Sequence, residues 1–286
     1  MYERNETLTE AIARNVHDAL YEDIGRCDWT ALLVPGGRRT RARVITRDAA
    51  VLCGRPWFEG CITTLDPTAS FSWQHDEGAA MSPDSAVCEV ESDCRALLSA
   101  ERPALNLLQT LSASATTTRQ YVDAVHDVSP NPKGCAILDT RKTLPGLRQA
   151  QKYAVRVGGG ANHRLALWDG ILIKENHIAA AGGVAAAWRA AIALGSDVGI
   201  QIEVENIEEL EQALAAGADN ILLDNFTLPE MREAFSRTAG RAVLEVSGGV
   251  DLQSIRDVAA TGVDRISIGR LTKDVRAVDF SMRALA

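Results

Sequence analysis

Residues 137 to 178 read ILDTRKTLPGLRQAQKYAVRVGGGANHRLALWDGILIKENHI. Two short apolar runs, Ala136-Ile137-Leu138 and Gly170-Ile171-Leu172-Ile173, each end in charge: Asp139-Thr140-Arg141-Lys142 after the first, Lys174-Glu175-Asn176-His177 after the second. Short apolar runs bounded in this way are the pattern of strands buried on both faces of a parallel sheet. Between them three consecutive glycines, Gly158 to Gly160, lead into Asn162-His163-Arg164. Arg141, Lys142, His163, Arg164 and Lys174 therefore come from three neighbouring segments of an acidic chain. Such a gathering points to a pocket for an anion carrying several negative charges.

Working outward toward the C-terminus, strand-like and helix-like segments alternate almost to the end. The pattern predicts strands at 136–139, 170–174, 199–204, 219–223, 242–246 and 263–268. Helices are predicted at 147–156, 182–194, 206–216, 229–237 and 251–261, several of them ending at a glycine (Gly195, Gly217, Gly240, Gly262). This alternation implies an α/β fold with a parallel sheet and helical crossovers, and ligand-type residues at every strand end favour a barrel over an open doubly wound sheet.

In a parallel barrel the chemistry stands at the C-terminal strand ends. Here those ends carry Arg141-Lys142, Lys174, Glu203 and Glu205, Asp224-Asn225, Glu245 with Ser247-Gly248-Gly249, and Gly269. Gln201, Glu203 and Glu205 alternate with Ile202 and Val204, so the polar set points one way, toward the barrel mouth if the apolar set meets the helices. The plainer alternatives are that Glu203 or Glu205 pairs with a nearby lysine and that Asp224 caps the following helix. Ser247, Gly248, Gly249 and Gly269 sit where barrels bind phosphate through backbone amides. His177 is expected to be a structural hydrogen-bonder rather than a ligand.

Toward the N-terminus, Thr7-Leu8-Thr9-Glu10 has capping-box spacing, and Leu8, Ile12, Val16 and Leu20 recur every fourth residue, so residues 7–21 are expected to form an amphipathic helix. Runs at 42–46, 51–53, 70–73 and 86–90 read as strands of a small α+β layer. A helix is predicted from Ala100 to about His126, with Pro103 near its first turn, followed by a turn at Asn131-Pro132-Lys133-Gly134.

The 286 residues suffice for a large core without staples. A net charge of −8 argues against a nucleic-acid partner, which would need a basic face. No run approaches the roughly 18 apolar residues of a membrane span, and the charged N-terminus lacks the core of a signal peptide. The six cysteines lack zinc or CxxC spacing and are expected as free thiols in a reducing cytoplasm. No motif predicts a metal held tightly by the protein alone, whereas magnesium arriving with a phosphorylated substrate fits.

TRKTLPGLR (140–148), GGGANHR (158–164), LIKENHI (172–178), IEVEN (202–206), LLDNF (222–226), EVSGGV (245–250) and ERPALN (101–106) together closely resemble the quinolinate phosphoribosyltransferase family over nearly the whole chain. The resemblance implies an incomplete α/β barrel of about six strands at 115–271 beside an N-terminal α+β sandwich at 1–114, to which the tail 272–286 returns. It implies a homodimer, or a hexamer of dimers, with active sites completed across the interface. It implies that Arg141, His163, Arg164 and Lys174 hold the two carboxylates of quinolinate, helped by Arg102 from a partner subunit. It further implies that Lys142 meets the pyrophosphate of 5-phosphoribosyl 1-pyrophosphate, that Glu203 and Asp224 take the ribose hydroxyls, and that Ser247, Gly248, Gly249 and Gly269 take the 5-phosphate. Glu203, Asp224, Lys142 and Lys174 would then be the catalytic set, with Arg148 and Arg270 on a cationic rim. Arg270 and Asp274 depart from the family pattern of a small residue and Ser or His at those positions. The implied activity is a decarboxylating phosphoribosyl transfer with Mg2+ in NAD biosynthesis. The rivals are a paralogue acting on another ring acid, a barrel lyase forming a Schiff base at Lys174 or Lys142, and a non-catalytic phosphate sensor.

Overall fold

The computed structural model describes residues 4–285. The first part of the chain forms α1 (Leu8–Ile24), β1 (Arg39–Thr46), β2 (Ala50–Val51), α2 (Arg55–Leu65), β3 (Ser70–Trp73), β4 (Ala80–Met81), β5 (Ala86–Asp93) and α3 (Cys94–Val125). It continues with β6 (Ala136–Leu138), α4 (Arg148–Val157), β7 (Ile171–Ile173), α5 (Glu175–Ala181), α6 (Val184–Ala193) and β8 (Ile200–Val204). The last part holds α7 (Ile207–Ala215), β9 (Asn220–Asp224), α8 (Leu228–Thr238), β10 (Val243–Ser247), α9 (Ile255–Ala259), β11 (Arg265–Ser267), α10 (Arg270–Lys273) and β12 (Phe280–Ala284). Two compact units result, one of Met1–Thr117, Thr143–Gly159 and Leu271–Ala286, the other of Thr118–Lys142 and Gly160–Arg270. Strand-helix alternation assigns α4 to the barrel as a crossover; in the structure it belongs to the first unit.

In the first unit α1 opens with the capping box, Glu10 N–H donating to Thr7 Oγ1 and Thr7 N–H to the Glu10 carboxylate, and it buries Ala11, Asn15, Val16 and Leu20. Buried Asn15 accepts from Trp57 Nε1 at 3.3 Å and donates to the Gly146 carbonyl at 3.0 Å, so neither polar group is stranded in the core. Trp57, Phe58, Leu105, Leu108 and Leu111 fill that core around an antiparallel sheet of order β12-β1-β5-β3. Helix α2 was not foreseen: Gly54 is not only a turn residue but the N-cap, at φ 112°, with Pro56 in the first turn where a missing N–H costs nothing. Helix α3 begins at Cys94 rather than Ala100, because the Asp93 carboxylate accepts from the N–H groups of Arg95 and Ala96. Pro103 therefore lies inside the helix and removes one backbone donor there.

The second unit is a parallel sheet of order β6-β11-β10-β9-β8-β7, with Ala161 bridging in parallel to Leu138 beyond β6. All six strands fall within two residues of the predicted limits. Inside it, β8 buries Gln201, Ile202, Glu203 and Val204 together, so the polar alternants enter the barrel while the apolar ones meet the helices. Helix α9 is shorter than expected, because Asp251 turns the chain first by accepting from the N–H groups of Gln253 and Ser254.

Candidate active site

The polar ends of the barrel strands fall into three groups. In the first, Lys174 directly follows β7, and its Nζ lies 3.0 Å from Oε2 of Glu203 on β8. The ion pair that the sequence held open as the plainer reading of Glu203 is thus present. It does not remove Glu203 from the mouth, since Asp224 at the end of β9 is close enough for its charge to act on Glu203. Burial raises the Glu203 pKa above the ordinary glutamate value; the bond and charge of Lys174 work against burial, and Asp224 adds to it. Asp224 is not a helix cap. That place is taken by Thr227, whose hydroxyl and N–H both donate to Glu230.

His177 behaves as the sequence suggested. Its Nδ1 accepts from the Lys174 N–H at 3.0 Å and so closes the first turn of α5, fixing the backbone from which the Lys174 side chain leaves. Glu205 N–H donates to the Glu209 carboxylate, and the Glu205 side chain is exposed.

The second group is a backbone cradle at the ends of β9 and β10. Asn225 adopts φ 57°, its N–H reaches the Ser247 carbonyl at 3.3 Å, and its carboxamide donates to Asp224 at 2.9 Å. Gly248 follows at φ 109°, and a Cβ there would stand 2.5 Å from Asn225 Oδ1. Only glycine lets these two loops approach so closely, which leaves backbone N–H groups beside the carboxylates. Gly249 is also left-handed, at φ 63°. Gly269 precedes α10, which opens with Arg270, and the Arg270 charge reaches Asp251. Bonds from the Ser254 N–H and hydroxyl hold the Asp251 carboxyl below its ordinary value, and Arg270 adds to this.

The third group is cationic. Arg164 Nη1 donates to the Gly170 carbonyl at 2.9 Å. Its pKa is lowered first by burial and then by the charge of Arg141, which is thus felt at Arg164. Lys142 is exposed beside Arg141. Guanidinium groups suit an incoming carboxylate, which they bind through paired N–H donors. Arg148 and Arg102 lie in the other unit, Arg148 on α4 with its Nε donating to Thr143 Oγ1, and Arg102 exposed on α3.

The sequence did not reveal what supports these groups. Asp139, at the end of β6, is fully buried and accepts from the Asn162 carboxamide and the His163 N–H, pinning the loop that carries Arg164. The His163 ring sits inside the barrel with Nε2 2.9 Å from Gln201 Oε1 and 3.6 Å from Glu245 Oε1. Gln201 in turn donates to Glu245 Oε2 at 3.0 Å and to Asn220 Oδ1 at 3.2 Å. The signal was present in the alternation of β8 and β10, but the meeting of side chains from non-adjacent strands was not.

The geometry has counterparts among known proteins. Residues 28–112 match the family described as quinolinate phosphoribosyl transferase, N-terminal domain, and residues 114–283 match its C-terminal domain. The chain is 39% identical over 262 residues to a probable nicotinate-nucleotide pyrophosphorylase (carboxylating) of Bacillus subtilis (strain 168), a match covering 91% of this chain and 89% of that one. It is 35% identical over 280 residues to the human nicotinate-nucleotide pyrophosphorylase (carboxylating), covering 96% and 92%. The solved structure of the nicotinate-nucleotide pyrophosphorylase from Francisella tularensis shares 40% identity and a TM-score of 0.92, over 99% of this chain and 100% of that one. Since both halves of the sequence match, and full-length relatives share more than a third of their residues with it, the chain belongs to the quinolinate phosphoribosyl transferase family.

Proposed function

We propose that this chain transfers the phosphoribosyl group of 5-phosphoribosyl 1-pyrophosphate to quinolinate with decarboxylation, releasing nicotinate mononucleotide, pyrophosphate and carbon dioxide, in de novo NAD biosynthesis. The observation that carries the reading is a carboxylate pair, buried Glu203 and partly exposed Asp224, set beside Lys174 in a barrel where the charge of Arg141 also reaches Arg164. Carboxylates with cations beside them suit a sugar that carries anionic groups at both ends.

The quinolinate nitrogen would attack the anomeric carbon as the bond to pyrophosphate breaks and its electrons leave with that group. Positive charge then grows on the ribose ring, facing Glu203 and Asp224, while Lys142 meets the departing negative charge. Arg141 and Arg164 would hold the carboxylates of the ring acid. Lys174 exchanges the Glu203 carboxylate for one on the substrate, which frees Glu203 to accept from a ribose hydroxyl. In the product the pyridinium nitrogen is itself an electron sink. The electron pair of the bond to the 2-carboxylate stays on that ring carbon, stabilised by the adjacent positive nitrogen, as carbon dioxide leaves, and the carbon then takes a proton. The backbone groups of Ser247, Gly248, Gly249 and Gly269 would take the 5-phosphate.

Magnesium would enter with the diphosphate. Mg2+ is commonly held by one or two carboxylates together with substrate oxygens, and Glu203 with Asp224 fits that donor set. Among the described residues no group of three or more His, Cys, Asp or Glu side chains is placed to hold a metal. The proposal includes a homodimer whose sites receive Arg102 from the partner subunit, and a cytoplasmic setting, which suits six free cysteines. No helix among the described residues is long and apolar enough to cross a membrane.

A Schiff-base lyase is the weaker reading, because Lys174 Nζ is engaged by a carboxylate rather than desolvated among cations. The test is to incubate the protein with quinolinate, 5-phosphoribosyl 1-pyrophosphate and magnesium, and to measure nicotinate mononucleotide and pyrophosphate. Product from quinolinate but not from nicotinate is expected; turnover of nicotinate alone, or of neither, would overturn the reading.

A further inference from the structure

The loops after β10 and β11 stand side by side, and the strand register fixes which of their residues share a level. Ser247 pairs with Asp224 of β9 on one side and with Ser267 of β11 on the other. Gly249 and Gly269 therefore each lie two residues beyond a paired serine, and Asp251 and Arg270 follow them on adjacent loops. Neighbouring strands run about 4.8 Å apart, so the ends of β9 and β11 are about 10 Å apart. That is room for a ribose ring and its phosphate to reach from Asp224 to the loop that carries Gly269. A Cβ at Gly249 would meet nothing within 4 Å, so the space beside its loop is open.

A phosphate on these loops needs positive charge, and the backbone supplies little of it. In parallel barrels the N-terminus of a short helix often contributes. Here the N–H groups leading into α9 are already occupied: those of Gln253 and Ser254 donate to Asp251 Oδ1, both at 3.0 Å, and the Ser254 hydroxyl donates to the same oxygen at 2.9 Å. Helices α9 and α10 have only five and four residues, too short for a useful dipole. Asp251 also adds a negative charge on the same side of the mouth as Asp224. Arg270 is the side chain placed to offset both. It directly follows Gly269, it is exposed, and its charge is felt at Asp251 on the neighbouring loop. All three bonds of the Asp251 turn fall on Oδ1, which leaves Oδ2 for a cation.

We propose that Arg270 is a further binding residue for the 5-phosphate of 5-phosphoribosyl 1-pyrophosphate: its guanidinium, drawn toward the β10 loop by Asp251, donates to phosphate oxygens beside Gly249 and Gly269. This gives a defined role to a residue that departs from the family pattern, and it goes beyond a place on a cationic rim. It rests on the phosphoribosyl transfer proposed above, and its test separates the two.

Ribose 5-phosphate and inorganic pyrophosphate probe the two ends of the donor separately, and titration calorimetry on the full chain with magnesium reads both without turnover. Arg270→Ala should weaken ribose 5-phosphate about tenfold, the size of one charge-assisted hydrogen bond, and leave pyrophosphate within about twofold. Arg270→Lys keeps the charge without the planar fork and should recover part of the loss. Added salt should weaken ribose 5-phosphate binding more in the wild type than in Arg270→Ala. The rival role for Arg270 is to screen Asp251 and nothing more. Asp251→Asn keeps an acceptor for the turn and removes the charge, so in that background Arg270→Ala should again cost about tenfold. No further loss there would reduce Arg270 to a screen and overturn the proposal. So would unchanged ribose 5-phosphate affinity in Arg270→Ala, or pyrophosphate weakened to the same degree. In turnover the KM for 5-phosphoribosyl 1-pyrophosphate should rise about tenfold in Arg270→Ala while that for quinolinate stays within about twofold. A wild type that binds no ribose 5-phosphate overturns the proposal as well. One that binds it through Arg270 yet forms no nicotinate mononucleotide would sink the assigned reaction and leave the role of Arg270 standing.

Discussion

Glu203 joins two demands that conflict. To accept from a ribose hydroxyl and face a developing cation it must be ionised, yet burial raises its pKa and so favours the neutral form. The acid limb of kcat/KM for 5-phosphoribosyl 1-pyrophosphate should therefore lie above the ordinary glutamate value of 4.5, with activity falling as the pH is lowered through the raised pKa. Glu203→Gln and Asp224→Ala should each reduce kcat by about a hundredfold or more, the loss typical of a group that stabilises transition-state charge. The stability consequence runs the other way. A carboxyl whose folded pKa is raised binds its proton more tightly in the native state, so the ionised form costs stability above that pKa and the cost vanishes as the pH falls below the unfolded value. Glu203→Gln should thus melt no lower than the wild type near pH 7, and the two melting temperatures should converge at acid pH. Scanning calorimetry across pH checks this, and a clear fall in Tm at pH 7 would show that the Lys174 pair outweighs burial.

At the scale of elements, the closest fit is the contact between the loops after β9 and β10. Gly248 combines φ 109° with a Cβ position 2.5 Å from Asn225 Oδ1, so Gly248→Ala must both strain its backbone and push Asn225 away from Asp224. A residue forced into such a conformation costs about 1–3 kcal/mol. The expected result is a lower Tm together with a KM for 5-phosphoribosyl 1-pyrophosphate raised about tenfold or more, with quinolinate binding by calorimetry kept. Loss of quinolinate affinity to the same degree would mean that the cradle serves the whole mouth. The elements also show what the sequence could and could not reveal. The barrel strands were legible because each is an apolar run flanked by turn residues, and Glu203 with Asp224 because alternation along one strand fixes which side chains share a face. Helix α5 was missed because its start rests on a single His177 bond, and α4 was misplaced because no local pattern says which unit a helix packs in. The link from His163 through Gln201 to Glu245 was hidden for the same reason: β8 and β10 are separated by β9, and only the curvature of the sheet brings their side chains together.

For the whole molecule, the open question with the greatest consequence is whether one chain builds a complete site. Arg102 is exposed on α3, far in sequence from the strand ends that carry Glu203 and Asp224. Family resemblance assigns Arg102 to a neighbouring subunit's pocket, and that assignment makes a prediction independent of any single rate. Arg102→Ala and Asp224→Ala should each be nearly inactive alone, since each lacks one contribution to every site. When the two variants are unfolded together and refolded as a mixture, half of the dimers should contain one chain of each kind. In an isologous dimer such a pair has one site missing both groups and one site missing neither. The mixture should then recover about a quarter of wild-type activity per chain, while the same variants refolded separately and mixed afterwards should stay inactive until subunits exchange. Recovery requires that Arg102 and Asp224 of one working site come from different chains. If each site drew both residues from the same chain, every chain in the mixture would remain defective and no activity would return, so a null result with verified heterodimers would exclude the shared site.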